Sequence, residues 1–244
     1  MSLRLKGKKC LVTGGSRGIG EGIALAFASE GADVAVTGRN LCALQPVLDK
    51  IRGFGVNAAG FAWDVARVKE AKTQILKIAE GLGGLDVVVN NAGVVVFDDF
   101  FKQTEESWDY VMNADLKAVY FICQAAAEYM IERQLKGRII NIASDSGLKP
   151  AVTLPYGIAK CGVARFTCGL AKMLFPKGIT VNAIAPGPVS TEMMNVENGK
   201  ITEWPGSAFG RYALPSEIGQ LAVFLASEES ARIAGEVIAI NGNM

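Results

Sequence analysis

The stretch "YGIAK" carries Tyr156 and Lys160 four positions apart, in a chain that contains no histidine. With the usual proton carrier missing, the question is whether a phenol and an ammonium can do acid–base work. Residues at i and i+4 share a helix face, so the two side chains are neighbours if this segment is helical. A free tyrosine, with a pKa of ~10, is ionised in only about one molecule in a thousand at neutral pH. Lowering that pKa by ~2 to 3 units takes roughly 3 to 4 kcal/mol, and an ammonium ~5 Å away at an effective dielectric of ~20 supplies roughly 3 kcal/mol. Tyr156 can therefore act as a general acid or base at cellular pH if Lys160 stands beside it in a shielded site. An isolated Y-x-x-x-K also describes a surface tyrosine next to a lysine, so the surroundings decide.

A second constellation suits phosphate. "TGGSRGIG", residues 13–20, joins an apolar run to a helical pattern. Gly14, Gly18 and Gly20 let the backbone turn tightly and approach a ligand, and the helix that follows offers free N–H groups to a phosphate. The spacing departs from G-x-G-x-x-G, so its placement between a strand and a helix carries the argument. The next strand ends in "VTGRN", with Gly38 and Arg39 where an acid would hold a ribose 2′-hydroxyl. Arg17 lies inside the glycine loop. Two arginines near one ribose suit a 2′-phosphate, which they grip by charge-assisted hydrogen bonds, and this predicts NADP(H) as cofactor.

The elements that must position these residues alternate along the chain. "KKCLVTG" reads as a strand, and Ile19, Ile23 and Phe27 then repeat at helical spacing up to Gly31. "ADVAVTG", "VNAAGFAWDV", "LDVVVNNAG", "GRIINIAS", "GITVNAIAPG" and "GEVIAING" supply six further strands. Helical stripes lie between them, including Leu41, Leu44, Leu48 and Ile51, and one long helix over about 105–133. "PSEIGQLAVFLASEE" opens with a proline, as helices often do. This alternation predicts an α/β fold: a Rossmann-type, doubly wound, seven-stranded parallel sheet with helices on both faces, one catalytic domain over 1–244. The least patterned stretch, 188–213, reads as a binding loop or lid.

Composition narrows the classes. Hydrophobic residues make up 50% of the chain, enough for a sheet buried on both faces. The net charge of +1 gives no reason to expect nucleic acid or an anionic membrane. Cys10, Cys42, Cys123, Cys161 and Cys168 are scattered and form no CxxC. They read as reduced thiols of a cytoplasmic protein, with no metal site expected. The N-terminus lacks the apolar core of a signal peptide, and no run of about 18 apolar residues predicts a membrane span.

"TGGSRGIG", "NNAG" (90–93), "NIASDSG" (141–147), "YGIAK" (156–160) and "ITVNAIAPGPVSTEM" (179–193) occur in that order. With these motifs the chain resembles the short-chain dehydrogenase/reductase family from Gly7 to Gly242, most of all its 3-oxoacyl-acyl-carrier-protein reductases and their sugar or polyol relatives. The resemblance implies that Tyr156 exchanges a proton with the substrate oxygen. It implies that Lys160 lowers the tyrosine pKa and binds the nicotinamide ribose, and that Ser144, rather than Ser146, hydrogen-bonds the substrate. It places Gly14, Ser16, Arg17, Gly18, Ile19 and Gly20 at the phosphates and Asp64 and Val65 at the adenine. Asn90, Asn91, Ala92 and Gly93 would line the cofactor, and Pro186, Gly187, Val189 and Thr191 would lie along the nicotinamide. It further implies a small carbonyl or alcohol substrate and a homo-oligomer, tetramer or dimer.

One position departs from the pattern. Where the family carries a catalytic asparagine on the long helix, this chain has Asp115, in "VMNADLKAVY". Asp115 shares a stripe with Trp108, Val111, Val119 and Ile122 that should face the core. A buried carboxylate without a partner is costly. The favoured expectation is that Asp115 imitates the asparagine, near Lys160; the other is that it weakens the proton relay.

Overall fold

A computed structural model of the protein describes residues 3–97 and 99–242. Seven strands form one sheet: β1 (Lys9–Val12), β2 (Asp33–Gly38), β3 (Ala58–Ala62), β4 (Val87–Asn90), β5 (Arg138–Ile142), β6 (Thr180–Pro186) and β7 (Val237–Ile240). Their order is β3-β2-β1-β4-β5-β6-β7, and every pair is parallel. The order reverses between β1 and β4, where Leu11 faces Val88 across the ladder. In open α/β sheets a crevice opens beyond the carboxyl ends of the strands at such a reversal.

Two apolar layers hold the sheet. Helices α3 (Ala71–Leu82), α5 (Ala118–Glu132) and α6 (Leu154–Leu174) cover Leu11, Val88, Ile139 and Val181 on one face. Helices α1 (Gly18–Ser29), α2 (Gln45–Arg52) and α7 (Pro215–Ala226) cover Val12, Val87, Val89, Ile140 and Ile184 on the other. Neighbouring residues of one strand point to opposite faces, so Val87, Val88 and Val89 must all be apolar, and all three are fully buried.

The long helix expected over 105–133 is not continuous. It consists of α4 (Glu105–Met112), a π-helical turn (Asn113–Lys117) and α5. The wide turn changes the phase of the side chains. Val111, Asp115, Val119 and Ile122 are buried as the stripe predicts, whereas Trp108 is 37% exposed. Single π turns inside α-helices concentrate at functional sites, and this one carries Asp115. The stretch 188–213 is largely irregular, with a short 3-10 turn at Glu192–Met194 and bridges joining Val189 to Ala213 and Glu203 to Arg211.

Candidate active site

The loops at the carboxyl ends of β1 to β6 meet around the β1/β4 reversal. Backbone geometry comes first. Gly14 sits at φ 65°, and a Cβ there would lie 2.8 Å from the Ala92 Cα. A Cβ on Gly20 would lie 2.3 Å from the Gly14 carbonyl oxygen and 2.5 Å from Asn91 Nδ2. No side chain fits at either place, so the loop folds tightly over the start of α1. Arg17 is the N-cap of α1 and sends no side-chain bond to its first turn. The helix N-terminus is left to other acceptors, which fits a bound phosphate group.

The loop is braced from β4. Asn91 donates from Nδ2 to the carbonyl oxygens of Thr13 and Gly14, at 2.9 and 3.1 Å. Thr13 Oγ1 accepts the backbone N–H groups of Asn91 and Ala92 at 3.0 and 3.1 Å. Sequence reasoning missed Thr13, although its place just before the glycines was the available signal. The Asn90 side chain turns away from the loop. That side chain is buried in the core, donating to Asn141 Oδ1 at 2.8 Å and facing Cys123 Sγ, while Asn141 donates to Thr167. In a strand the next residue points to the other face, so Asn91 reaches the loop and Asn90 cannot.

The other expected cofactor positions rim the same crevice. Ser16 is half-buried in the glycine loop, and Ile19 packs against the core beneath it. Asp64, after β3, caps its own turn by accepting the Ala66 N–H, and Val65 beside it is buried. Pro186 ends β6, and the Gly187 N–H bonds to the Ile240 carbonyl. Val189 and Thr191 are buried, with the Thr191 methyl beside Gly18. Both arginines already have partners. Arg17 Nη1 lies 2.6 Å from Glu192 Oε2, and Arg39 Nη1 reaches the Tyr110 hydroxyl at 3.5 Å.

Beyond β5 lies the group that could move a proton. Tyr156 and Lys160 stand one turn apart on α6, with the ammonium 5.5 Å from the centre of the phenol ring. Ser144 caps the short turn after β5, accepting the Ser146 N–H at 3.2 Å, and its hydroxyl reaches the phenol of Tyr156. Ser146 serves this turn through its backbone. Lys160 is buried, donates to the Ile142 carbonyl oxygen at 3.0 Å, and pairs with Asp115 Oδ2 at 3.0 Å. The Asp115 Oδ2 contact is an ion pair without an aligned hydrogen bond. Asp115 Oδ1 accepts the Val94 N–H at 2.7 Å. Gly93 leaves room for the pair, since a Cβ there would lie 2.6 Å from Asp115 Oδ2.

Lys160 does pull the Tyr156 pKa down, but the phenol stays above its ordinary value because burial, first, and the Asp115 and Asp145 carboxylates push it up. Burial holds the Asp115 carboxyl above the usual carboxylate range, against the pull of Lys160 and the Val94 N–H. Burial disfavours the Lys160 ammonium, yet Asp115 and Tyr156 outweigh it and keep its pKa above normal. Asp115 therefore departs from an asparagine in the one property that its shape conceals, its charge. Asp98, in the loop after β4, lies outside the described residues.

A model of the short-chain dehydrogenase family matches residues 8–201. The chain belongs to the short-chain dehydrogenases. It is 38% identical over 252 residues to a 3-oxoacyl-acyl-carrier-protein reductase of Chlamydia muridarum, covering all of both chains. A short-chain type dehydrogenase/reductase from Mycobacterium marinum superposes with a TM-score of 0.91 at 34% identity, over 99% of this chain and 96% of that one. A short-chain dehydrogenase from Burkholderia cenocepacia, solved in complex with NADP, gives 0.89 at 32% identity and covers 98% of both chains.

Proposed function

We propose that the protein is an NADP(H)-dependent carbonyl reductase in which Tyr156 is the proton donor. The observation that carries this reading is the convergence of Tyr156, Lys160 and Ser144 next to a glycine-lined helix N-terminus at the β1/β4 reversal. When bound, NADPH supplies the hydride that reaches the carbonyl carbon. Tyr156 gives its phenolic proton to the carbonyl oxygen, and the product is an alcohol. The Ser144 hydroxyl, which accepts the Ser146 N–H and makes only a long 3.4 Å donor contact to Asp145, can turn its proton to that oxygen and orient it. Lys160 donates to the Ile142 carbonyl and is ion-paired with Asp115, which leaves N–H capacity for a ribose hydroxyl. Arg17 and Arg39, at the ends of β1 and β2, support a 2′-phosphate, as does the NADP bound in the Burkholderia cenocepacia relative.

For the substrate we favour a 3-oxoacyl thioester over a keto sugar. The matched reductases act on acyl chains by name. The loops beyond β4, β5 and β6 also expose Phe97, Phe101, Val152 and Ile201, which suit an alkyl chain better than a polyol. A homo-oligomer is part of the same reading, supported by Tyr120 on α5 and Met173 on α6, which stand exposed. So is a cytoplasmic setting, supported by five unpaired cysteines. Among the described residues no helix is long and apolar enough to cross a membrane. The test is NADPH consumption with a panel of 3-oxoacyl thioesters, simple ketones and keto sugars. Turnover of thioesters is expected, and absence of turnover with every carbonyl would overturn the reading.

A further inference from the structure

The carboxylate of Asp115 enters the site from the π turn and is fully buried, and its partner Lys160 is 3% exposed. Both ends of the pair are anchored. The ammonium donates to the Ile142 carbonyl at the end of β5, and Asp115 Oδ1 accepts the Val94 N–H from the loop after β4. Two opposite unit charges 3.0 Å apart act together as a dipole, and a dipole attracts a nearby anion far less than a lone cation does. The nearby anion here is the phenolate of Tyr156. The charged groups that face this phenol are Lys160 from its own helix, Asp115 from the π turn and Asp145 from the turn after β5; Ser144 adds a neutral hydroxyl. Lys160 favours the phenolate, and both carboxylates oppose it.

We propose that Asp115 is a positioning residue, a fixed counter-charge to Lys160 that keeps Tyr156 in its proton-donating form and confines alcohol oxidation to alkaline pH. The inference rests on reading Tyr156 as the proton donor. Reduction needs the neutral phenol, which gives its proton to the carbonyl oxygen. Oxidation needs the phenolate, which takes the proton of the alcohol while hydride leaves to NADP⁺. The equilibrium between carbonyl and alcohol is untouched, and the bias lies in the pH at which each direction runs. An asparagine in the same place keeps the size and the bond to Val94 but leaves the Lys160 charge unopposed.

The test is a titration of phenolate absorbance in the cofactor-free protein, with the curve of the Tyr156→Phe variant subtracted to isolate Tyr156. Asp115→Asn is expected to lower the midpoint by about one pH unit, the low end of the usual effect of a nearby charge. The pH–rate curve for alcohol oxidation should move the same way, while carbonyl reduction keeps its rate on the acid side. Asp115→Ser, which removes the charge with a smaller side chain, carries the same test if the asparagine variant does not fold by circular dichroism. A midpoint unchanged or raised in the folded variant overturns the proposal. The titration needs no turnover. A lowered midpoint in a protein that reduces no carbonyl would therefore sink the reductase reading and leave the counter-charge standing.

Discussion

Arg17 on the glycine loop and Glu192 on the segment after β6 meet in an ion pair of 2.6 Å that spans the mouth of the β1/β4 crevice. Both side chains are more than half exposed, so the pair contributes little stability of its own. A 2′-phosphate entering beside Arg17 competes with Glu192 for the same guanidinium. Because Arg17 and Arg39 stand where an acid would hold a ribose hydroxyl, NADPH is still expected to bind much more tightly than NADH. Arg39→Ala should weaken NADPH by roughly 1.5 to 3 kcal/mol and barely change NADH, the value of a charged hydrogen bond. Glu192→Gln, which frees Arg17, should tighten NADPH by no more than about 1 kcal/mol. Titration calorimetry with both cofactors checks all three, and equal dissociation constants in the unmodified protein would rule the arginine reading out.

Tyr156→Phe should reduce turnover by ~10² to 10⁴, the usual contribution of a positioned proton donor, with cofactor affinity nearly intact. The phenol body packs the same way without its hydroxyl, so the melting temperature should hold. A variant that kept more than about half of the starting rate would send the search to another acid, and Asp145, half-buried after β5 with its carboxyl raised by burial, would be the first to test.

The fold was legible because period-2 and period-3.6 apolar patterns alternate along the whole chain, and a parallel sheet demands continuous apolar strands such as "VVVN". The site was legible where a motif fixes backbone, as at Gly14 and Gly20, or fixes a helix face, as at Tyr156 and Lys160. Three things were not legible. The π turn at Asn113–Lys117 adds no residue type that a helix forbids, so the stripe through Trp108 looked continuous. The partners Ile142 and Val94 act through backbone atoms, which carry no side-chain signature. The direction of the Tyr156 shift depends on a sum of opposing fields, and the sequence offered Lys160 without the distance that pairs it with Asp115.

Acid should loosen the N-terminal clamp between Glu30 and Arg4. Glu30 accepts from Arg4 Nε at 3.0 Å, Nη2 at 2.6 Å and the Arg4 backbone N–H at 3.0 Å. The Arg4 side chain, foremost, and its N–H hold this carboxyl below its usual range, against a smaller opposing effect of burial. A carboxylate whose folded pKa is depressed contributes stability above its unfolded pKa of ~4.3, and that stability is lost as pH falls through the folded value. Glu30→Gln should therefore narrow the stability difference between neutral pH and pH of about 3. Melting curves of the variant and the parent across that range test this, and parallel curves would exclude a role for Glu30.

Lys160 carries the most exacting prediction, because its removal affects both chemistry and folding. Lys160→Met should abolish most turnover, since in the proposed mechanism the ammonium supports both Tyr156 and a ribose hydroxyl. It should also destabilise the fold by roughly 3 to 5 kcal/mol at neutral pH, the usual effect of leaving one member of a buried ion pair alone. The loss has a definite pH signature. With the lysine gone, Asp115 is a buried carboxyl whose folded pKa is raised further above the unfolded value of ~3.9. A group raised in this way is tolerated in its neutral form below the unfolded pKa, and its cost grows as pH rises toward the folded one. The gap in melting temperature between Lys160→Met and the parent should therefore be small near pH of about 4 and wide at pH of about 7. Adding Asp115→Asn removes the stranded charge, so the double variant should regain most of the stability while remaining inactive. A gap that stays constant with pH, or a double variant no more stable than Lys160→Met, would mean that Asp115 is not ionised opposite Lys160.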